Sequence, residues 1–419
     1  MTTTSSTSTT DGSDIKLLVP DNDDDVAEPE LSIVIPALNE QLTVGEFVAW
    51  CKEGLAAAGV AGEILIVDSS DDDTGKIALA GGARVLQVPR RGLGRAYIDA
   101  LPYVRGKWIV MGDADCTYDF RRLGPFVDKF REGNEYVMGS RWKGSIEPGS
   151  MPALHRYFGT PFTTFILNRM YASHFSDIHC GMRGITRDAL VRMNLQSQSW
   201  EYASEIVLKS VHMELRTAEV PVTFLKDQEG RLSHHKREGW LSPFKAAWIN
   251  LRAMFIYGSA FFLVKTGIAL TVLGLLLTLP LTFGNFSIGS VELSLNSQFV
   301  GVAILAIGCQ TLFFGCVAQV LFDYTGRHSR RWSRLFPYTR TALIAFALIA
   351  LGFILAIPVI VTYATNDLAL SSSDAVANHV AVTGLAAAIT GAQLFVSTLL
   401  LHGTIIATTR GRPMVPKRQ

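Results

Sequence analysis

The chain has 419 residues and a formal net charge of +1, and 48% of its residues are hydrophobic. A charge so close to zero gives no sign of the basic surface that nucleic-acid binding requires, so we expect no nucleic-acid partner. The length allows about two or three domains, and the uneven distribution of charged and apolar residues predicts regions of different character.

Residues 1–30 form the first of these regions. They are rich in Ser and Thr and then acidic, with the run "DNDDD" at residues 21–25. Such a composition cannot bury a hydrophobic core, and it lacks the basic start and apolar centre of a signal peptide. We therefore expect a disordered acidic tail on the cytoplasmic side.

Residues 31–240 have the pattern of an α/β domain. Short β-branched runs predict strands, and amphipathic spacing between them predicts helices. The strands are expected at 31–38, 63–70, 83–89 and 107–115, and the helices at 43–59, 73–82 and 92–104. Continuous apolar strands that alternate with helices predict a mostly parallel sheet covered on both faces. Ligands of such sheets bind beyond the carboxyl ends of the strands.

Polar residues recur where each predicted strand ends. They are Asn39, Glu40, Asp68, Arg90, Arg91, Asp113 and Asp115. An aspartate can accept hydrogen bonds from a base or ribose, and a glycine turn before a helix, as at Gly92 and Gly94, favours phosphate. The carboxylates of Asp113 and Asp115 suit Mg²⁺ or Mn²⁺. Taken singly, each feature also fits a solvated loop, a helix N-cap or a plain turn.

The order of these motifs resembles that of the inverting family 2 glycosyltransferases with a GT-A fold. Within that family the chain is similar to the polyprenyl-phosphate glycosyltransferases, which include the dolichol-phosphate mannose and glucose synthases. The matching segments are "VIPALNE" (34–40), "IVDSSDDDT" (66–74), "RRGLGRAYIDAL" (90–101), "GDADCTYD" (112–119), "GSRW" (139–142) and "SDIHCGMRGITRDAL" (176–190).

The resemblance implies roles for individual residues. The residues implied to bind the nucleotide sugar are Pro36, Ala37, Asn39, Glu40, Asp68, Ser69, Gly92, Gly94, Arg95, Asp113, Ala114 and Asp115. The DxD pair, Asp113 and Asp115, is implied to hold the metal, with Asp115 in direct contact. The residues implied to serve the lipid-phosphate acceptor are Arg141, Arg156, Asp177 and Arg183. Two positions depart from the family pattern: Ser69 replaces a second aspartate, and Thr117 stands where the family often has Gln or Ser.

The activity that the resemblance implies is metal-dependent, inverting transfer of a hexose from a nucleotide-diphosphate sugar to a polyprenyl phosphate. A UDP-sugar is favoured as donor, and GDP-mannose is the alternative. Two other functions stay open: a processive polysaccharide synthase, although the QxxRW motif of that group is absent from the sequence, and a non-catalytic membrane-anchored nucleotide-sugar-binding protein. Arg141 and Arg156 are expected to act with Asp113 and Asp115 as the catalytic residues.

Two amphipathic segments predict contact with a membrane surface. Residues 153–172 have apolar residues at helical spacing with Arg156 and Arg169 among them, and residues 241–258 carry Trp, Tyr and Lys next to the first long apolar run. Both are expected to be interfacial helices.

Four apolar runs after residue 257 each reach the roughly 20 residues that a helix needs to cross a bilayer. They lie at 259–283, 299–322, 341–363 and 380–408. The connection from Asp323 to Arg340 carries five arginines and the tail 409–419 is basic, whereas the connections 284–298 and 364–379 have no Lys or Arg. Basic loops stay in the cytoplasm, so we expect both termini and the catalytic domain there.

Glycines and cysteines in the chain lead to two further expectations. Glycines recur every seven residues in the first two runs, at 267 and 274 and at 301, 308 and 315, which favours close helix packing within the chain or in a homo-oligomer. The five cysteines have no metal-like spacing and are expected to be free thiols.

Overall fold

The structure is a computed structural model that describes residues 15–21, 25–153, 155–171, 173–228, 248, 252, 258–323, 325–365 and 375–410. It divides into two compact units, residues 1–255 and 256–419. The predicted interfacial helix at 241–258 and the basic tail at 409–419 fall almost entirely outside the described residues.

The first unit alternates strands and helices, as the sequence predicts. Its strands are β1 (Lys16–Leu18), β2 (Leu31–Ala37), β3 (Gly62–Asp68), β4 (Arg84–Gln87), β5 (Trp108–Met111), β6 (Tyr136–Ile146), β7 (Arg183–Thr186) and β8 (Thr217–Phe224). Its helices are α1 (Val44–Ala57), α2 (Thr74–Ala80), α3 (Leu93–Ala100), α4 (Gly124–Arg131), α5 (Thr160–Tyr171), α6 (Arg187–Met193) and α7 (Tyr202–His212). Short turns at Leu101–Tyr103 (3-10) and His155–Gly159 (π) precede β5 and α5.

The eight strands form one sheet in the order β1-β4-β3-β2-β5-β7-β6-β8. Strands β4, β3, β2 and β5 run parallel, and β6 is parallel to β8, while β7 runs antiparallel between β5 and β6. Strands β2 and β3 are buried almost throughout, which is why they read as continuous apolar runs. The prediction of a mostly parallel sheet is confirmed.

Two details of the sheet differ from the sequence predictions. Strand β1 pairs antiparallel with β4, so the expectation of disorder over residues 1–30 is wrong for Lys16–Leu18. A three-residue edge strand is too short to produce a recognisable pattern. Strand β5 ends at Met111, so the predicted strand 107–115 is too long and Gly112–Asp115 form a loop beyond it. That loop carries the DxD pair.

The second unit is mainly helical. Its elements are α8 (Ser259–Thr278), a 3-10 turn (Pro280–Phe283), a hairpin of β9 (Phe286–Ile288) and β10 (Val291–Leu293), α9 (Leu295–Leu321), α10 (Arg327–Leu335), α11 (Tyr338–Thr365) and α12 (Ala375–Arg410). Four segments are long and apolar enough to cross a membrane: Phe261–Phe283, Leu295–Leu321, Tyr338–Thr365 and Val376–Thr408. The four predicted spans are confirmed as membrane-spanning candidates, with ends shifted by a few residues.

Helices α8 and α9 approach closely through the glycines of the seven-residue repeats. A Cβ atom on Gly267 would lie 2.4 Å from the backbone nitrogen of Leu312, and one on Gly308 would lie 2.4 Å from that of Thr271. Gly274 stands equally close to Leu305. The repeats therefore have a packing role within the chain, where side chains on these glycines would force the two helices apart. Homo-oligomer formation stays a prediction.

Candidate active site

The ends of β2, β3 and β5 meet at one edge of the sheet. Strand β2 pairs with β3 up to Ala37 opposite Asp68, and with β5 up to Val34 opposite Met111. Because these strands are parallel, the three loops that follow them lie side by side. The structure therefore brings together the sequence-predicted residues of the first, second and fourth strand ends.

The loops after β2 and β3 are joined by hydrogen bonds. The Asn39 N–H donates to Ser70 Oγ at 2.8 Å, and the Asp71 N–H donates back to Asn39 Oδ1 at 3.0 Å. Asn39 has a left-handed φ of 56°, which its short polar side chain tolerates. The buried Glu40 donates its N–H to Thr74 Oγ1 at 2.9 Å. Asn39 and Glu40 thus fix the shape of this edge.

Asp68 is buried at the end of β3. Its carboxylate accepts the Ser70 N–H at 3.0 Å, and Gly75 packs so closely that an added Cβ would lie 2.4 Å from Asp68 Oδ2. Burial raises the pKa of Asp68, the hydrogen bonds from Ser70 oppose the rise, and the nearby charge of Asp72 adds to it. A ligand that donates hydrogen bonds to this buried carboxylate would stabilise its ionised form.

Ser69, the next residue, bonds to the loop after β2. The Ser69 N–H and hydroxyl donate to Ala37 O, at 3.1 and 3.3 Å.

The loop after β5 presents Asp113 and Asp115, both partly buried, on either side of the buried Ala114. Asp115 Oδ1 accepts two hydrogen bonds from Thr117, from the N–H at 3.0 Å and from the hydroxyl at 2.6 Å. The Thr43 hydroxyl at the start of α1 donates to Ala114 O at 2.9 Å. Thr117 therefore orients the Asp115 carboxylate, and Thr43 fixes the backbone between the two aspartates.

The two carboxylates fit a cation that takes its other ligands from a substrate. Within the described ranges there is no group of three or more His, Cys, Asp or Glu side chains arranged to hold a metal ion. Mg²⁺ and Mn²⁺ commonly bind one or two protein carboxylates together with substrate phosphates and water. Asp119, a third aspartate four residues after Asp115, accepts hydrogen bonds from the N–H and Nε of Arg121, at 3.2 and 2.7 Å. Its carboxylate is therefore already paired with a positive charge.

The glycine turn before α3 packs against a neighbouring segment of the chain. A Cβ on Gly92 would lie 2.4 Å from Gln198 O, and one on Gly94 would lie 2.2 Å from Ser197 O. Gly92 also has a φ of 112°, and the Arg95 N–H donates to Gln198 O at 3.0 Å. These glycines are thus required for close packing, whatever part they play in binding phosphate.

Two basic residues around this turn, Arg91 and Arg95, are paired with the buried Asp99. Arg95 Nε and Arg91 Nη2 each contact the Asp99 carboxylate at 2.8 Å. Each arginine side chain keeps about a third of its surface exposed, with relative values of 35% for Arg95 and 36% for Arg91. The pairing orients both guanidinium groups toward Asp99, the penultimate residue of α3.

A buried ion pair that supports the glycine turn was not expected from the sequence. Glu205 and Lys209 are almost fully buried on α7 and lie 2.6 Å apart. Glu205 accepts the N–H groups of Gln196 and Ser197, and Lys209 donates to the carbonyls of Met193 and Asn194. The pair thereby holds the segment that packs on Gly92 and Gly94. The i,i+4 spacing of opposite charges in a helix was the only available signal.

Arg141 and Asp177, both predicted to serve the acceptor, form a buried pair. Arg141 Nε donates to Asp177 Oδ2 at 2.6 Å, and Nη2 donates to Oδ1 at 2.8 Å. The side-chain exposure is 8% for Arg141 and 0% for Asp177. Two guanidinium N–H groups are thus bonded to protein, and Asp177 itself is out of reach of any ligand in this conformation.

Arg183 has a supporting position. It is buried, and its guanidinium donates to Cys180 O at 2.6 Å and to Ala203 O at 2.9 Å. Cys180 is fully buried, and burial raises the pKa of its thiol to about 12. The segment that Arg183 stabilises, 177–183, lies next to the DxD loop, because Gly181 N–H donates to the Tyr118 hydroxyl at 2.8 Å and packs against Asp113 Oδ2.

Arg156 belongs to the π-helical turn before α5. Its backbone N–H donates to Pro152 O, and its guanidinium lies 5.6 Å from the centre of the Tyr157 ring. Tyr157 is 74% exposed and Phe165 on α5 is 66% exposed. These exposed aromatic rings are what an interfacial helix at 153–172 would present to a membrane surface. The structure shows only local contacts for Arg156 in the described residues.

All five cysteines are buried and free, as predicted: Cys51, Cys116, Cys180, Cys309 and Cys316.

Two family models match the chain. The model described as "Glycosyl transferase family 2" matches residues 32–193, and "Glycosyltransferase family 2 C-terminal transmembrane region" matches residues 318–404. The low-salt glycan biosynthesis hexosyltransferase Agl6 of Haloferax volcanii is 36% identical over 304 residues, which are 72% of this chain and 71% of that protein. The chain belongs to glycosyltransferase family 2. It is therefore an enzyme, a membrane glycosyltransferase, and the alternative of a non-catalytic binding protein is wrong.

Two further proteins, one curated relative and one solved structure, are similar to parts of this chain. A dolichyl-phosphate hexose transferase of Haloferax volcanii is 28% identical over 198 residues, which are 46% of this chain and 82% of that protein. The structure of glucosyl-3-phosphoglycerate synthase from Mycobacterium tuberculosis, in complex with Mn²⁺, UDP and glucosyl-3-phosphoglycerate, aligns with a TM-score of 0.42 at 19% identity. That alignment covers 54% of this chain and 79% of the synthase.

Proposed function

We propose that this glycosyltransferase moves a hexose from a nucleotide-diphosphate sugar to a polyprenyl phosphate at the cytoplasmic face of the membrane. The observation that carries the proposal is the placement of Asp113 and Asp115. They lie in one loop at the edge where β2, β3 and β5 end, in a chain that also has four candidate membrane spans. The similarity to a dolichyl-phosphate hexose transferase supports a lipid phosphate as the acceptor.

The donor nucleotide would occupy the edge formed by the loops after β2 and β3. Pro36, Ala37, Asn39 and Glu40 shape one side of it, and Asp68 lies at its base with a raised pKa. A base or ribose that donates hydrogen bonds to Asp68 would relieve the cost of burying that carboxylate. We favour a UDP-hexose as donor, with GDP-mannose as the alternative.

Asp113 and Asp115 would hold Mg²⁺ or Mn²⁺ against the diphosphate. The bound cation would stabilise the negative charge that develops on the leaving diphosphate. The contribution of the chain is to orient the two carboxylates. Thr117 does this for Asp115 through two hydrogen bonds, and the close approach of Gly181 restricts Asp113.

The acceptor phosphate is already ionised near neutral pH, so the reaction does not need a general base. A phosphate oxygen would form the new bond to the anomeric carbon as the bond to the diphosphate breaks on the opposite face, which inverts the configuration. The main requirement is then to position the acceptor phosphate against the anomeric carbon. A guanidinium group can do this because it binds phosphate with two parallel hydrogen bonds. Arg156 is the candidate for direct contact, and Arg141, supported by Asp177, would shape the site beside it.

The test uses membranes that contain the full-length protein. They are incubated with radiolabelled UDP-hexoses or GDP-mannose, Mn²⁺ and a polyprenyl phosphate, and the products are extracted with organic solvent. A single labelled sugar on the lipid is the expected product. A water-insoluble polymer would instead identify a processive synthase, and absence of lipid-linked label from every donor would contradict the proposal.

The cytoplasmic location rests on the arginine-rich connection between α9 and α11. A single cysteine introduced at Ser333, in a variant without the native cysteines, should react with an impermeant maleimide only after the cells are opened. Labelling in intact cells would place this connection on the outer face. Such labelling would reverse the topology without contradicting the chemistry of the transfer.

A further inference from the structure

Helix α5, which contains most of the predicted interfacial segment, has two different faces. Thr160, Thr164 and Leu167 are buried, whereas Phe162 and Phe165 are exposed. Residues three, four and seven positions apart lie on one side of a helix, so the buried residues form one face and the two rings belong to the other. The exposed face is the one that an interfacial helix presents to lipid. The buried face is therefore the one through which α5 acts on the rest of the first unit.

The buried face of α5 is bonded to residues 173–183. We name these residues the acceptor segment, because two of them are predicted to serve the acceptor. The Asn168 side chain of α5 donates to Phe175 O at 2.7 Å, and it accepts the Ser173 hydroxyl and the Phe175 N–H at 2.8 and 3.1 Å. This one amide holds the start of the acceptor segment against α5.

Thr163 and His179 form a second bond between α5 and the acceptor segment. Thr163 Oγ1 lies 2.9 Å from Gly159 O and 3.1 Å from Thr160 O, so its one hydroxyl proton is donated to carbonyls of the preceding turn. The hydroxyl oxygen therefore accepts a hydrogen bond from His179 Nε2, which lies 2.8 Å away. This network assigns a proton to Nε2 of His179.

His179 lies between the two parts of the proposed site. Asp177 Oδ1 accepts the His179 N–H at 3.3 Å and the Nη2–H of Arg141 at 2.8 Å. Two residues after His179, Gly181 packs against Asp113 Oδ2. A displacement of His179 would therefore move the backbone that bonds to the partner of Arg141 and that lies against the DxD loop.

We propose that His179 is a positioning residue for the acceptor, which acts through its hydrogen bond to Thr163. The lipid surface would fix α5, α5 would fix the acceptor segment, and the acceptor segment would fix Arg141 through Asp177. The inference rests on the proposed function, because it requires an acceptor phosphate that is carried by a membrane lipid. Loss of the bond should then raise KM for the acceptor, while the loops after β2 and β3 keep KM for the donor.

The test uses the full-length protein in phosphatidylcholine vesicles that contain a polyprenyl phosphate. UDP-glucose is the donor, or GDP-mannose if that is the sugar nucleotide that labels the lipid. Thr163→Val keeps the branched shape of the side chain and removes the oxygen that accepts from His179. Since a hydrogen bond between neutral groups contributes modestly, we expect a rise of roughly threefold to tenfold in KM for polyprenyl phosphate. KM for the donor should stay at the wild-type value.

The matched control is Thr164→Val, the same substitution at the next residue. Thr164 is buried, and its hydroxyl has no hydrogen-bond partner among the described residues. Its acceptor KM should equal that of the wild type. Thr163→Ser keeps the accepting oxygen and should restore the wild-type value, as should His179→Gln in part, because its amide N–H extends to about the position of Nε2.

A double variant shows whether Thr163 and His179 act through one bond. His179→Ala should raise the acceptor KM about as much as Thr163→Val, and the two changes together should raise it no further. Additive effects would overturn the inference, and so would an equal rise in the donor KM and the acceptor KM of Thr163→Val, since that is what a general structural role produces.

Amide hydrogen exchange gives a readout that does not depend on turnover. In Thr163→Val the amides of the acceptor segment should exchange faster, and those of β2 and β3 should exchange as in the wild type. Unchanged exchange, or an unchanged acceptor KM while the wild type transfers sugar to the lipid, would overturn the role of His179 and leave the proposed function standing. Absence of lipid-linked sugar with the wild type would contradict the proposed function, and the role of His179 with it.

Discussion

Arg141 and Asp177 are joined by two parallel hydrogen bonds in the interior of the catalytic unit, from Nε to Oδ2 and from Nη2 to Oδ1. Both residues come from segments that the family resemblance predicts to serve the acceptor. The pair links the middle of β6 to the segment that contacts the DxD loop through Gly181. It therefore connects the loop proposed to hold the metal with the strand proposed to serve the acceptor.

Removal of one partner from this pair should be more harmful than removal of both. Asp177→Leu leaves the Arg141 charge buried without its partner and should destabilise the protein by about 3–5 kcal/mol. The double variant Arg141→Met with Asp177→Leu should unfold at a higher temperature than the single variant, yet remain inactive if Arg141 also orients the acceptor. Thermal unfolding and initial rates measure the two effects. A double variant no more stable than Asp177→Leu would show that the pair is not energetically coupled.

Asp115→Asn should abolish most of the transfer without unfolding the protein. The amide retains the oxygen that accepts the Thr117 bonds but removes the charge that a divalent cation requires. We expect a loss of about 100-fold or more in turnover, as for loss of other groups that stabilise developing charge. Asp119→Asn is the matched control, because Asp119 is paired with Arg121, and its rate should change little.

Chelation offers a second readout for the same pair. EDTA should inactivate the wild-type enzyme, and Mn²⁺ or Mg²⁺ should restore it. Full activity after complete removal of divalent cations would contradict the assigned role of Asp113 and Asp115.

Asp68→Asn should make the protein more stable at neutral pH and weaken donor binding. Burial raises the pKa of Asp68, so the ionised carboxylate costs free energy at pH values above its folded pKa, and stability from this group increases as the pH falls toward 3.8. Asn keeps an acceptor for the Ser70 N–H. We expect the unfolding temperature of Asp68→Asn to rise by roughly 2–4 °C, which corresponds to a gain of about 1 kcal/mol in the free energy of unfolding for a domain of this size.

The gain from Asp68→Asn should shrink as the pH is lowered, because the wild-type carboxylate then becomes neutral as well. Thermal unfolding at neutral and acidic pH, with and without the nucleotide, separates the two effects. Equal stability of variant and wild type at all pH values would argue against a buried charge at this position.

Gly94→Ala should disturb the turn before α3. The added Cβ would lie 2.2 Å from Ser197 O, so the segment held by Glu205 has to move, at a cost of about 1–3 kcal/mol. Gly124→Ala is the control, since no neighbouring atom of the described residues lies within 4 Å of its added Cβ and the residue is helical. Its stability should stay within about 0.5 kcal/mol of the wild type. Thermal unfolding decides between them, and equal effects would refute the packing argument.

Gly308→Ala should loosen the contact between α8 and α9, because its Cβ would lie 2.4 Å from the backbone nitrogen of Thr271. Gly403→Ala on α12 is the control, because the part of the chain that the structure describes has no neighbouring atom within 4 Å of the added Cβ. In detergent, the first variant should lose tolerance to heat and the second should not. A change in oligomeric state without loss of stability in Gly308→Ala would instead favour packing between subunits.

Local patterns in the sequence identified much of the fold. The buried strands of the parallel sheet, the helices between them and the four spans each follow from a continuous apolar run or a helical period within one segment. The DxD loop was recognisable for the same reason, since both of its carboxylates and the strand before it lie within a few residues.

Residues 229–247, which include the adjacent histidines His234 and His235, lie outside the described part of the chain.

Contacts between distant segments could not be predicted from the sequence, because they form only when the chain folds. Strand β1 joins the sheet through pairing with β4, which is remote in sequence, and Arg141 pairs with Asp177 across 36 positions. The glycines at 92 and 94 read as a phosphate turn, but their packing on Ser197 and Gln198 depends on the buried Glu205 of α7. The position of α10 likewise depends on Trp332, whose Nε1–H donates to Gln319 of α9. The element types and the chemistry available at the strand ends could be predicted from the sequence, because both are local properties. Which charges are buried, paired or presented depends on neighbours that only folding brings together.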